Sequence, residues 1–119
     1  MTAGQGSASV KPSSESGETQ LVGTPSQIEW AFQIRLSVGV EFARVAEALR
    51  RAACKQREQD RMDTQAMIAI LEEKCTEVLK NNQAGYFIRH WGELTDQVRL
   101  LLRDDARYQA IKVAKAERT

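Results

Sequence analysis

The sequence predicts an all-α protein, a small helical bundle, on three observations. Only one glycine, Gly39, and no proline interrupt the stretch from Ser26 to Leu79. Apolar residues recur at alternating steps of three and four in successive segments, the spacing of one helix face. No segment shows the two-residue alternation of β-branched and aromatic residues that a strand requires.

Residues 1–23 are built from Gly, Ser, Thr, Ala and Gln with Lys11, Glu15 and Glu18 as their charges. Such a composition buries too little apolar surface to offset its ordering entropy, so a disordered tail is expected there. A single helical domain over 24–119 is expected after it. That domain begins at Thr24, Pro25, Ser26 and Gln27, where Thr can cap, Pro can occupy the first turn and Gln can close a capping box.

Ile28, Ala31, Val38, Phe42, Val45, Leu49 and Ala52 form one apolar stripe, with Arg35 its charged member. The stretch from Lys55 to Arg61 loses every apolar residue yet holds good helix formers and no turn chemistry. A long first helix, bent across residues 55–63, is therefore expected in preference to a tight hairpin. Apolar periodicity resumes at Thr64, Met67, Ile68, Leu71, Cys75 and Val78, displaced by one residue.

Asn81, Asn82, Gln83, Ala84 and Gly85 end that helix. The next is expected from about Tyr86, because Phe87, Trp91, Leu94, Val98 and Leu101 repeat in 4, 3, 4, 3 spacing, the pattern of a seam between helices. Asp104 or Asp105 can cap a short final helix carrying Tyr108 and Ile111. A core this thin, with aromatics at 6% of 119 residues, leads to the expectation of a homodimer joined through the Phe87–Leu101 seam.

Seventeen Lys and Arg against sixteen Asp and Glu give a net charge of +1, which excludes a strong overall field toward nucleic acid or an anionic membrane. Cys54, Cys75 and His90 show no metal-ligand spacing. Two buried thiols in a reducing compartment are expected instead. No charged start precedes an apolar run, and no run approaches the roughly 18 apolar residues that span a bilayer, so the expected location is cytoplasmic.

Three groups of residues could carry chemistry. Glu73 and Glu77 lie one turn apart on one helix, as do Glu93 and Asp96 on the next, and each pair could offer carboxylates to Mg²⁺. The adjacent Glu72 and Glu73 followed by Glu77, and the string Glu93, Leu94, Thr95, Asp96, Gln97, Val98, resemble the MazG-type all-α nucleoside triphosphate pyrophosphohydrolases. The family spaces its third Glu three residues on, whereas Glu77 stands four after Glu73. The resemblance implies a Mg²⁺-dependent enzyme with Glu73, Glu77, Glu93 and Asp96 as ligands.

Basic residues cluster at Arg44, Arg50, Arg51, Lys55, Arg57 and Arg61, interleaved with acids. They recur as a purer stripe at Arg99, Arg103 and Arg107, where phosphate or nucleic acid could bind. Tyr86, Phe87, His90 and Trp91 form an aromatic group that Trp30 and Phe32 could meet if the helices run antiparallel. No nucleophile stands beside His90 in sequence, and Gly39, Gly85 and Gly92 are isolated, which removes a phosphate loop. The sequence therefore points to a self-associating helical interaction module without a cofactor, whose partner is a second copy, another protein or a small molecule. The Mg²⁺ pyrophosphohydrolase and nucleic-acid binding are the alternatives.

Overall fold

The computed structural model describes residues 20–118. Five helices succeed one another: α1 Pro25–Ala53, α2 Glu58–Leu79, α3 Ala84–His90, α4 Leu94–Arg103 and α5 Ala106–Arg118. The described residues contain no strand. No helix among them is long and apolar enough to cross a membrane.

The start of α1 is set by its sequence. Thr24 Oγ1 accepts from the Gln27 amide at 3.2 Å, and Gln27 Oε1 accepts from the Thr24 amide at 3.0 Å, so two of the helix's unsatisfied donors are capped reciprocally. The expected stripe holds from Ile28 to Leu49: Ala31, Arg35, Val38 and Phe42 are buried, with Ile28, Val45 and Leu49 half-buried beside them, but at its end Ala53 is buried and the expected Ala52 is exposed.

The expected long bent helix does not form. The chain leaves α1 at Cys54 and folds back, so α2 runs along α1 as a hairpin: Arg50 pairs with Glu72 at 2.5 Å, and Leu79 lies beside Phe32, Leu36 and Val40. The corner uses neither glycine nor proline. The Lys55 and Gln56 amides donate to the Ala52 and Ala53 carbonyls. Arg61 Nη1 donates to the Gln56 carbonyl at 3.2 Å, and Thr64 Oγ1 to Gln56 Oε1 at 2.6 Å. Side chains from the first turns of α2 thus fasten the corner, a signal invisible to turn propensities. The displaced register of α2 is the consequence: Thr64, Met67, Ile68, Ile70, Leu71 and Val78 are buried, on a helix packed chiefly on α1 and also on α4 and α5.

The expected helix from Tyr86 through Leu101 is also two helices. Trp91 ends α3 with φ −117° and ψ 33°, and Glu93 precedes α4 with φ −118° and ψ 88°; Gly92 between them has little helical preference to hold the chain straight. The break lets α3 lie on α1 while α4 turns across α1 and α2. The heptad-like spacing survives because both short helices face the same core.

The tail boundary shifts as well. Residues 1–19 of the expected 1–23 tail lie outside the described residues. Leu21, however, is in the core, and Val22 pairs with the loop after α2, donating to the Asn82 carbonyl at 2.7 Å and accepting from the Ala84 amide at 3.0 Å. Gly23 permits that approach, since a Cβ there would lie 3.1 Å from the Ala84 Cβ.

The core centres on α3. Phe87 and Trp91 are buried, and the Trp91 ring stands 5.9 Å from that of Phe42, centroid to centroid. Trp91 Nε1 is buried without a hydrogen-bond partner, the single such side-chain atom among the described residues. An unsatisfied donor costs about 1–3 kcal/mol, which the ring's packing offsets. Trp91→Phe should therefore change unfolding free energy by no more than about 1.5 kcal/mol, whereas Trp91→Ala should lose about 3–5 kcal/mol. Urea denaturation of the two variants checks this, and equal losses would contradict it.

Candidate interaction surface

The acidic residues are dispersed in this fold. Glu73 accepts from Arg107 at 2.5 Å, holding α5 to α2, and Asp96 pairs with Arg99 at 3.4 Å on its own helix. Glu77 sits exposed on α2, and Glu93 sits exposed at the break before α4. Among the described residues, no three His, Cys, Asp or Glu side chains are placed to share a metal ion. Equal spacing on two helices brings carboxylates together only if the helices face each other along those edges, and α5 covers that edge of α2 instead.

The arginine stripe is dispersed for a related reason. Arg99 and Arg103 lie on α4, but Asp104 ends that helix and Arg107 starts the next. Arg103 pairs with Asp104 at 3.3 Å, and Arg107 bridges Asp105 and Glu73. Of the two candidate caps it is Asp105 that accepts from the Arg107 amide, at 2.8 Å. In the first basic group, Arg44 is held by Glu41 at 2.5 Å and Arg50 by Glu72.

The seam expected to join two subunits is occupied from within. Phe87, Trp91 and Val98 are buried and Leu94 and Leu101 half-buried, all against this chain's own α1 and α2. Phe32 does not join the aromatic group and is 46% exposed, whereas Trp30, 59% exposed, lines a depression with Ile88, Trp91 and Leu94. Tyr86 meets Phe87 and His90 instead, at 5.1 and 5.4 Å. Of the two thiols, Cys75 is half-buried, and burial, then the Glu72 charge, pushes it up, whereas Cys54 is exposed, contrary to expectation.

The fold leaves the outer face of α1 uncovered. From Trp30 to Ala43 the exposed side chains are Trp30, Phe32, Gln33, Leu36, Ser37, Val40 and Ala43, with none charged. The two charged residues of that stretch, Arg35 and Glu41, are 6% and 9% exposed. Glu41 is turned inward by Arg44 and by Thr95 of α4, whose Oγ1 donates to it at 3.2 Å. Phe32, Leu36, Gly39, Val40 and Ala43 line a shallow depression of about 280 Å³ with Arg35 and Leu79. The sequence did carry a signal for it: residues 30–43 are apolar nearly all round the helix, so one stripe could not account for them.

No protein family, curated protein or solved structure matches this chain.

Charge, absent from that face, is concentrated where α5 docks. No residue of α5 is buried; Tyr108 and Ile111 rest on the core, and ion pairs hold both ends. Lys74 meets Asp105 at 3.1 Å, while Arg118 reaches Asp60 at 3.3 Å and also Asp63. Arg107, then Lys74, holds the Asp105 carboxyl far below the usual range, Arg118 lowers Asp63, and Arg44 lowers Glu41. Carboxyls depressed in the folded state contribute stability fully above their unfolded values near pH ~4 and lose it as pH falls through the folded ones. The melting temperature should accordingly drop below about pH 4, with amide exchange accelerating first in α5. A flat melting temperature from pH ~5 to ~2 would contradict this.

Proposed function

We propose that the protein works by binding, as a helical interaction module that self-associates through the outer face of α1. The observation that carries this reading is the run of exposed apolar side chains from Trp30 to Ala43 with no exposed charge among them, in a chain 28% charged. The centres of protein interfaces are depleted of charge and enriched in aromatic side chains, and exposed apolar patches of several hundred Å² mark such contacts. The flanks of the face are charged, with Glu29 before it and Arg44 and Glu47 after it, matching an apolar centre with a polar rim.

Binding is favoured over catalysis because Glu72, Glu73 and Asp96 are engaged by Arg50, Arg107 and Arg99. A reducing, cytoplasmic setting suits two free thiols, one of them exposed.

Leu36→Glu combined with Val40→Glu should abolish self-association while leaving the monomer's stability within about 0.5 kcal/mol per site, since both side chains are largely solvated. Light scattering checks this: the native chain should rise with concentration from 13.4 kDa toward twice that mass, and the variant should not. A native mass that stays monomeric up to about 200 μM would end the reading.

A further inference from the structure

We infer that the two copies dock with their α1 helices antiparallel, the two-fold axis passing between Gly39 and Val40, an arrangement that rests on the interaction surface proposed above. Phe32, Leu36, Gly39, Val40 and Ala43 succeed one another at steps of one, three and four, which at 100° per residue confines them to one sector about 100° wide.

Within that sector size is graded along the helix. The bulky Phe32 and Leu36 lie in the first half, and the small Gly39 and Ala43 in the second. An antiparallel pair about that axis sets Leu36 on the partner's Ala43 and Val40 on the partner's Gly39, bulk on hollow, while Phe32 lies toward the partner's Glu47 at the rim. A parallel pair would set Phe32 on the partner's Phe32 and leave a gap between the glycines. Close-packed interfaces require the first arrangement.

Gly39 supplies an independent observation. It sits in the middle of a 29-residue helix, where glycine is destabilising relative to alanine. A Cβ there would meet nothing within 4 Å, so the chain's own packing does not call for it. Close approach of a second backbone does.

Charge selects the same orientation. Glu29 lies on the face at one end and Arg50 at the other, and the same antiparallel register sets Glu29 opposite the partner's Arg50 at both ends. Arg50 remains half exposed while it bridges to Glu72. A parallel pair would set Glu29, Glu47 and Arg50 each against its own copy, which opposes association.

The area bears on strength. Phe32, Leu36 and Val40 are 46%, 48% and 69% exposed, on the order of 300 Å² of side chain per copy. Two copies bury less than the roughly 1,200 Å² of a standard interface. The dimer is thus weak and concentration-dependent.

Disulfide trapping tests the arrangement in a background carrying Cys54→Ser and Cys75→Ser. Leu36→Cys and Ala43→Cys chains, differently tagged, are mixed at high concentration and mildly oxidised, with a Val40→Cys chain alongside. The antiparallel pairing gives a Leu36→Cys with Ala43→Cys heterodimer well above either homodimer, and a Val40→Cys homodimer near the axis. Efficient homodimers of both Leu36→Cys and Ala43→Cys would establish a parallel pair and overturn the inference. No trapping at any position, with a dimeric mass by light scattering, would overturn it while leaving self-association standing. A monomeric mass would remove both.

Discussion

Phe42 of α1 and Trp91 at the end of α3 meet with ring centroids 5.9 Å apart, and most of the molecule is arranged around that contact. An antiparallel pair of helices buries only one stripe of each partner and is marginal alone. Phe87 and Trp91, both essentially inaccessible, give α1 a third neighbour and close the core. The break after Trp91 is a consequence of the same contact. Once α3 is seated, the chain must turn before Val98 and Leu102 can reach the remaining apolar surface of α1 and α2. Leu21, tied down by the pairing of Val22 with the loop after α2, fills the end of this core. The orphaned Nε1 of Trp91 is tolerated because the ring buries so much apolar area.

Charge and apolar surface are segregated. The ion pairs that link distant helices run mainly from α2: to α1 through Glu72 and Arg50, and to α5 through Glu73, Lys74, Asp60 and Asp63. These pairs are partly exposed and individually weak, but α5 buries no residue of its own and depends on them for its position. The outer side of α1 retains apolar groups alone between Trp30 and Ala43, apart from the uncharged Gln33 and Ser37. Turning Glu41 inward, against Arg44 and Thr95, keeps that side free of charge.

The sequence by itself determined the helical class, the capping box at Thr24 and Gln27, most of the core stripe of α1 and of the buried face of α2, and a cap at Asp104 or Asp105. Each rests on periodicity or on contacts within four residues, which local sequence encodes. Tertiary structure decided the rest. The corner at residues 54–57 is fastened by Arg61 and Thr64 reaching back to Gln56, and no residue within the corner announces it. The seam from Phe87 to Leu101 was legible as a buried face, but spacing cannot say whether its cover comes from the same chain or another. Likewise the carboxylates of Glu73, Glu77, Glu93 and Asp96 share a spacing that suits a metal, yet their meeting depends on which helix edges face each other, and α5 occupies the edge of Glu73. The outer face of α1 was legible as a surplus of apolar residues over 30–43, but folding decided that α2, α3 and α4 pack elsewhere on that helix and leave Phe32, Leu36 and Val40 exposed.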